Sequence, residues 1–423
     1  MSHRRAPAAR AVALLLCGLM LITGCVNQTV KSTSVPPLRS PAEPVPEAQL
    51  LDVAVAIFDP GIDIAAEDDA RIYPEVRRAE ARYVPQQLAK TLQESGAWGA
   101  VRVVPSEDRV ADLMLSGTIL HSDGETLKLA VTARDARGHL WLQRDYEGTT
   151  SRYAYNTGTR RRFDAFQALY HRVANDLLRK FAALTGDERR EIRTVAELRF
   201  ARSFSSEAFD GYLEETRSGE KTVVRLPAEG DPMLARVRQL RERDHLFVDT
   251  LQEYYARFSE DMYGPYQEWR KLSYEEVMAY KELKKESRAQ LIAGGAAILA
   301  GIAAASGGDS RSTRSAGNIA IIGGGYLLKS GLETRAEAQI HVQALEEIGQ
   351  SLEAEITPQV IELEDRTVML SGNVEDQYHQ WRDLLAEIYR REVGIPDASG
   401  SNPQDTQDTP TRQDGRGLRS AQR

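Results

Sequence analysis

Cysteine is almost missing from this chain: Cys17 and Cys25 are the only two in 423 residues. That excludes a disulfide-stapled framework and a cysteine-rich zinc site. The seven histidines (His3, His121, His139, His171, His245, His341 and His379) nowhere fall at a metal-ligand spacing. HExxH, CxxC and GxSxG are absent, and Ser116 and Ser371, each followed by glycine, lie outside the last pattern. His121 with Asp123 and His139 with Asp145 read as surface polar pairs rather than acid–base couples. No enzyme is expected, and no cofactor or metal. Positive charge is not in excess either: 54 Lys and Arg against 62 Asp and Glu leave a net charge of -8, which argues against a nucleic-acid partner. The apolar runs also stop short of the roughly 20 residues that span a bilayer.

What is present begins with an address. Arg4, Arg5 and Arg10 form a positive head, and the apolar run Ala11 to Ile22 follows it. The run closes on Leu21-Ile22-Thr23-Gly24-Cys25. This segment resembles a bacterial lipoprotein signal with its lipobox; the other reading is a plain export leader with an incidental cysteine. The resemblance implies that residues 1–24 are removed, Cys17 with them, and that Cys25 becomes an acylated N-terminus whose partner is membrane lipid. Two or three acyl chains exceed the single chain that anchors only marginally. Val26, not an aspartate, follows the cysteine, and the resemblance then implies the outer membrane, facing the periplasm. Residues 25–49, with Pro36, Pro37, Pro41, Pro44 and Pro46, read as a tether too poor in large apolar side chains to order itself.

Residues 50–185 predict a small α/β domain. Leu51 to Phe58 is a strand ended by Asp59-Pro60-Gly61. A helix over about Glu75 to Ser95 carries Val84, Leu88 and Leu92 on one face. Val101 to Val104, Ala111 to Leu120, Leu127 to Ala133 and His139 to Tyr146 are strands, the last two joined by the turn Asp135 to Gly138. A helix from Arg161 to Leu184 closes the unit with Phe163, Phe166, Leu169, Tyr170, Val173, Leu177, Leu178 and Phe181 in a stripe. The order strand–helix–strand–three strands–helix resembles the small α/β domain of envelope lipoproteins: the curli-secretion and flagellum-associated lipoproteins, and the N-terminal domain of TolB. It is carried by Leu51 to Val55, by Ala111 to Gly117 and by the hairpin of residues 127–147, and it implies a platform for assembly. Asp63, Glu67, Asp68 and Asp69 lack the spacing of a calcium loop and read as a solvated turn.

Residues 186–290 are charged and helical: one helix about Ile192 to Thr216, a break at Thr222 to Pro232, and a second helix from Met233 toward Tyr255. Tyr254, Tyr255, Phe258, Tyr263, Tyr266, Trp269, Tyr274 and Tyr280 cluster there, as a helical core, as a stacking platform for sugars or bases, or as a protein interface. Leu291 to Ala305 and Ala316 to Leu328 are free of charge and form the two arms of a predicted Gly/Ala-rich helical hairpin. Ala293, Ala297, Gly301 and Ala305 recur every fourth residue, as do Ala316, Ala320 and Gly324. Such small residues permit close helix approach. The hairpin reads as a buried core, as a self-association or lipid-contacting surface, or as an anion loop at Gly323 to Gly325, for which the phosphate-loop patterns are missing. Residues 329–394 give a helix with Ile340, Leu345, Ile348 and Leu352 on its apolar side, a short strand hairpin, and a helix with Trp381, Leu384, Leu385 and Ile388 on one face. Residues 395–423 are polar and predict a disordered tail.

The fold class expected is therefore α+β: the small α/β domain, a mostly helical region with the Gly/Ala hairpin, and a C-terminal strand-hairpin-plus-helix unit. The function expected is a lipid-anchored structural or assembly component of the cell envelope, serving secretion, flagellar support or polymer export. It would have envelope protein partners and form a homo-oligomer. The alternative is a periplasmic module that binds a glycan through the aromatic region.

Overall fold

A computed structural model describes residues 35–63, 73–156, 163–305, 359–362 and 367–393, with 158, 340, 342–344, 346, 347 and 350 besides. Cys25, Ala316, Ala320 and Gly324, the acidic stretch at Glu67 to Asp69 and the C-terminal tail lie outside these residues.

The first domain is an open sheet in the order β2-β1-β3-β4-β5. It is formed by β1 (Val53–Ala56), β2 (Val101–Val104), β3 (Leu113–Ser122), β4 (Thr126–Asp135) and β5 (Leu140–Thr149). β1 runs parallel to both neighbours, and β3, β4 and β5 form an antiparallel meander. All four β1 residues are buried, as a central strand requires. On β4, Leu127, Leu129, Val131 and Ala133 alternate into the core. The β4–β5 turn is tied by Asp135, whose carboxylate accepts from the backbone of Arg137 and His139 and from the Trp141 indole at 2.9–3.1 Å.

Helix α1 (Pro74–Glu94) opens with proline at its first position, where no N–H is needed. A second proline, Pro85, lies inside α1 and cannot donate to Ala81. The carbonyl of Ala81 instead accepts the Phe58 N–H at 2.9 Å, which fixes the exit of β1 to the helix. Helix α2 (Gln167–Ala183) buries Leu169, Val173 and Leu177. It starts later than the sequence stripe suggests: Phe163, expected on that stripe, is 45 % exposed because it precedes the helix. Phe166 is buried.

Helix α3 (Gly186–Phe204) begins with a reciprocal Thr185–Glu188 capping box. It ends before the expected Thr216. A single turn, α4 (Ser206–Phe209), and a small antiparallel hairpin, β6 (Leu213–Glu215) with β7 (Lys221–Val223), occupy the remainder. Ser205, at φ -140° and ψ 80°, ends α3, and Gly211 and Gly219, both at positive φ, make the turns on either side of β6.

The largest departure is α5. It runs unbroken from Pro232 to Ala305, 74 residues and about 110 Å, through the expected end near Tyr255 and through Pro265. The first arm of the predicted Gly/Ala hairpin is the end of this helix. The C-terminal unit is β8 (Gln359–Glu362) paired with β9 (Thr367–Leu370), then α6 (Val374–Glu392) behind an Asn373–Asp376 capping box. Val342 is buried, whereas Ile340, expected on an apolar face, is 64 % exposed.

Candidate functional site

The α/β domain holds α5 at four stations between Arg241 and Lys281.

At the first, α5 covers the sheet edge. β2 is an edge strand, and an open edge invites foreign pairing. The Gln252 side chain blocks it: its amide donates to Val103 O and its carbonyl accepts from Val103 N, both at 2.8 Å. One turn away, Arg102 grips Asp249 through two bonds of 2.6 and 3.0 Å. Replacement of Gln252 by Ala leaves both Val103 groups to water and should cost about 1 kcal/mol, with faster exchange of the Val103 amide. Unchanged exchange there would show that the amide was not the cover.

At the second station two ion pairs are sunk between α5 and the loop before β3. Arg109 meets Asp244 at 3.1 Å, with 6 % and 2 % of their side chains exposed, and Arg241 meets Asp112 at 3.4 Å. Burial, together with Arg109, Arg102 and Arg241, holds the neighbouring His245 imidazole down at about 4. It is therefore neutral at pH 7. Helix α6 closes this side, its Trp381 stacked on Phe247 at 4.7 Å.

The third station is a buried polar knot. Arg270 of α5 is fully buried and bonds both oxygens of Asp164 at 3.1 Å. Tyr83 of α1 and Gln267 of α5 donate to the same carboxylate at 2.9 and 3.2 Å, and the Phe166 N–H at 2.9 Å. The guanidinium carbon lies 3.9 Å from the Tyr266 ring centre and 4.7 Å from that of Phe166, within cation–π range of both. Tyr266 and Ser122 both donate to Glu80. Burial opposes the charge on Arg270; Tyr266 and Asp164 outweigh it and hold the guanidinium protonated. Burial first, and Asp164 second, push the Tyr83 hydroxyl far above its ordinary range, so it remains a donor.

At the fourth station backbone meets backbone. Gly124, in the β3–β4 turn, packs on α5 so closely that a Cβ there would overlap Arg270 O and Tyr274 N and sit 2.6 Å from Tyr274 Cα. Its N–H donates to Ser273 Oγ at 3.1 Å, and its carbonyl accepts from Tyr155. Beyond this contact Lys281 pairs with Glu125. The helix then continues for 24 residues, about 36 Å, to Ala305.

Several residues singled out in the sequence find their places here. Tyr255, Phe258, Tyr266 and Trp269 are buried against the domain rather than displayed. His121 does pair with Asp123 at 2.9 Å, on the surface; burial would raise the Asp123 carboxyl, but the bonds from His121, Thr126 and Glu125 hold it below its usual range. His139 faces Glu220 at 3.6 Å and Asp145 faces Lys128 at 3.5 Å, so those two are not partners. Ala293, Ala297, Gly301 and Ala305 fall at helical spacing along the far end of α5. Gln252, Asp164, Arg270 and Gly124 carried no motif. Arg270 had a signal: it stands four residues after Tyr266, at the end of the stripe Leu251, Tyr255, Phe258, Met262 and Tyr266, where period alone calls for an apolar side chain.

Among the described residues no group of three or more His, Cys, Asp or Glu is placed to hold a metal ion, and no helix is long and apolar enough to cross a membrane. No protein-family model, curated protein or solved structure matches the chain.

Proposed function

We propose that this chain is a lipid-anchored structural or assembly component of the bacterial cell envelope, whose α/β domain serves as a base for a projecting helical arm. The observation that carries this reading is α5. A helix of about 110 Å cannot remain on a domain about 40 Å across, and among the described side chains its last contact with the domain is at Lys281, about two thirds of the way along. Its far end bears the small-residue repeat Ala293, Ala297, Gly301 and Ala305, a sequence suited to close helix approach. The polar groups in the domain are spent on gripping the arm. In this reading Cys25 carries the acyl anchor, at the outer membrane facing the periplasm, and the far end of the arm meets envelope proteins or a second copy.

Burial of Tyr255, Phe258, Tyr266 and Trp269 weighs against the glycan-binding alternative, which needs such rings on a surface. The test is the particle mass in mild detergent of acylated wild type and of Gly301→Ile. The expected result is an oligomer that falls to a monomer on substitution while both proteins keep acyl mass on Cys25. A monomeric wild type at micromolar concentration would remove self-association. An intact mass without acyl groups would remove the anchor. Cys25→Ser should leave the membrane fraction or stall as a precursor.

A further inference from the structure

Residues 35–49 do not hang free. They lie along the outward side of α2 and the start of α3 as a strap, and we infer that this surface is a receptor for proline-rich extended peptides, filled in cis by the chain's own Pro36 to Glu47.

Most of the polar contacts read backbone, with no strand ladder. Asn175 reads two points of the strap at once: its amide donates to Pro37 O at 3.1 Å and its carbonyl accepts the Arg39 N–H at 2.8 Å. One turn earlier on α2, His171 Nδ1 lies 2.6 Å from Pro36 O. From α3, Arg193 donates to Glu47 O at 2.6 Å and Arg189 to Gln49 Oε1 at 3.3 Å. Pro46, at φ -58° and ψ 139°, has polyproline II geometry. Side-chain donors set along a helix face suit such a ligand, because its carbonyls point outward and its prolines have no N–H to satisfy.

The seat is separable from the core. Leu169, Val173 and Leu177 bury the opposite side of α2 in the sheet, so removal of the strap leaves that packing intact. Leu38 and Val45 are the strap's partly buried apolar anchors. A cavity of about 480 Å³, lined by Leu178, Phe181 and Arg189 as well as by the strap, lies between the two. This space is open to solvent, so the strap covers its seat without filling it. The cis segment thereby regulates the groove: a proline-rich segment of an envelope partner gains access only as the strap lifts.

The test uses full-length protein and a fluorescent peptide of residues 35–49. In wild type the tethered strap excludes the peptide. Leu38→Asp with Val45→Asp loosens the strap, and peptide affinity should rise at least tenfold. Adding His171→Ala and Asn175→Ala to that variant should abolish the gain. A folded double variant, judged by its circular dichroism, that binds no better than wild type overturns the proposal, as does binding that survives loss of His171 and Asn175. Hydrogen exchange of wild type gives a check that needs no variant to fold. The Leu38, Arg39, Val45 and Glu47 amides should exchange together and well before those of Val53 to Ala56; equal protection would show a fixed part of the core and overturn it.

Discussion

Asp164→Ala is expected to destabilise the protein by about 3–5 kcal/mol, the cost of leaving a buried charge without its partner. Arg270 is fully buried and cannot turn to water. The same carboxylate also takes the hydroxyl of Tyr83, the amide of Gln267 and the Phe166 N–H, so one truncation strands donors on α1, on α5 and at the cap of α2 together. The Arg270–Asp164 pair is nonetheless not required for its net energy, since burial of both charges offsets most of their attraction. Asp164→Leu combined with Arg270→Met should therefore recover the part of the loss that comes from the stranded guanidinium, while Tyr83, Gln267 and the Phe166 N–H still lack their acceptor. Urea unfolding of the two variants decides it: a double variant as weak as Asp164→Ala would mean that the knot is a source of stability in its own right.

Gly124→Val should act by another route and nearly as strongly. Its N–H bond to Ser273 survives only if the turn and helix keep their spacing, and a side chain at this position collides with main-chain atoms of Arg270 and Tyr274. Main chain in the middle of a helix has no rotamer to change, so the turn must part from α5. Overpacking of this kind costs about 1–3 kcal/mol, occasionally more, and here separation also loosens the knot one residue-turn away. The expected signature is early proteolysis between α3 and α5 with the sheet still protected. Wild-type protease resistance in Gly124→Val would show that the contact yields easily.

The sheet domain was legible because its segments are short, alternating and punctuated by turn residues. Asp135 to Gly138 closes β4 onto β5 as its composition demands, and Leu127 to Ala133 alternates as read. The late start of α2 was not legible: Phe163 and Phe166 share the stripe, but Asp164 between them is pulled inward to Arg270, a partner 106 residues away. Nor was the length of α5. The sequence carries the helix only toward Tyr255, yet the buried aromatic face continues past Pro265, and tertiary packing overrides the cost of a proline inside the helix. The seat of α5 escaped motif reading because its parts are a glycine in the β3–β4 turn, an amide on α5, and an ion pair between α5 and the segment before α2.

The amide lock at the sheet edge sets an order of events. Val103 and Gln252 are 149 residues apart, so a chain that emerges from its N-terminus completes β1 and β2 long before the residue that seals them exists outside. Closing so long a loop is entropically slow, and contacts of high sequence separation delay folding. Throughout that interval β2 presents unpaired main chain to whatever is nearby. The nascent chain therefore carries an open strand edge until its second half is made, and the window for misassembly closes only when α5 docks.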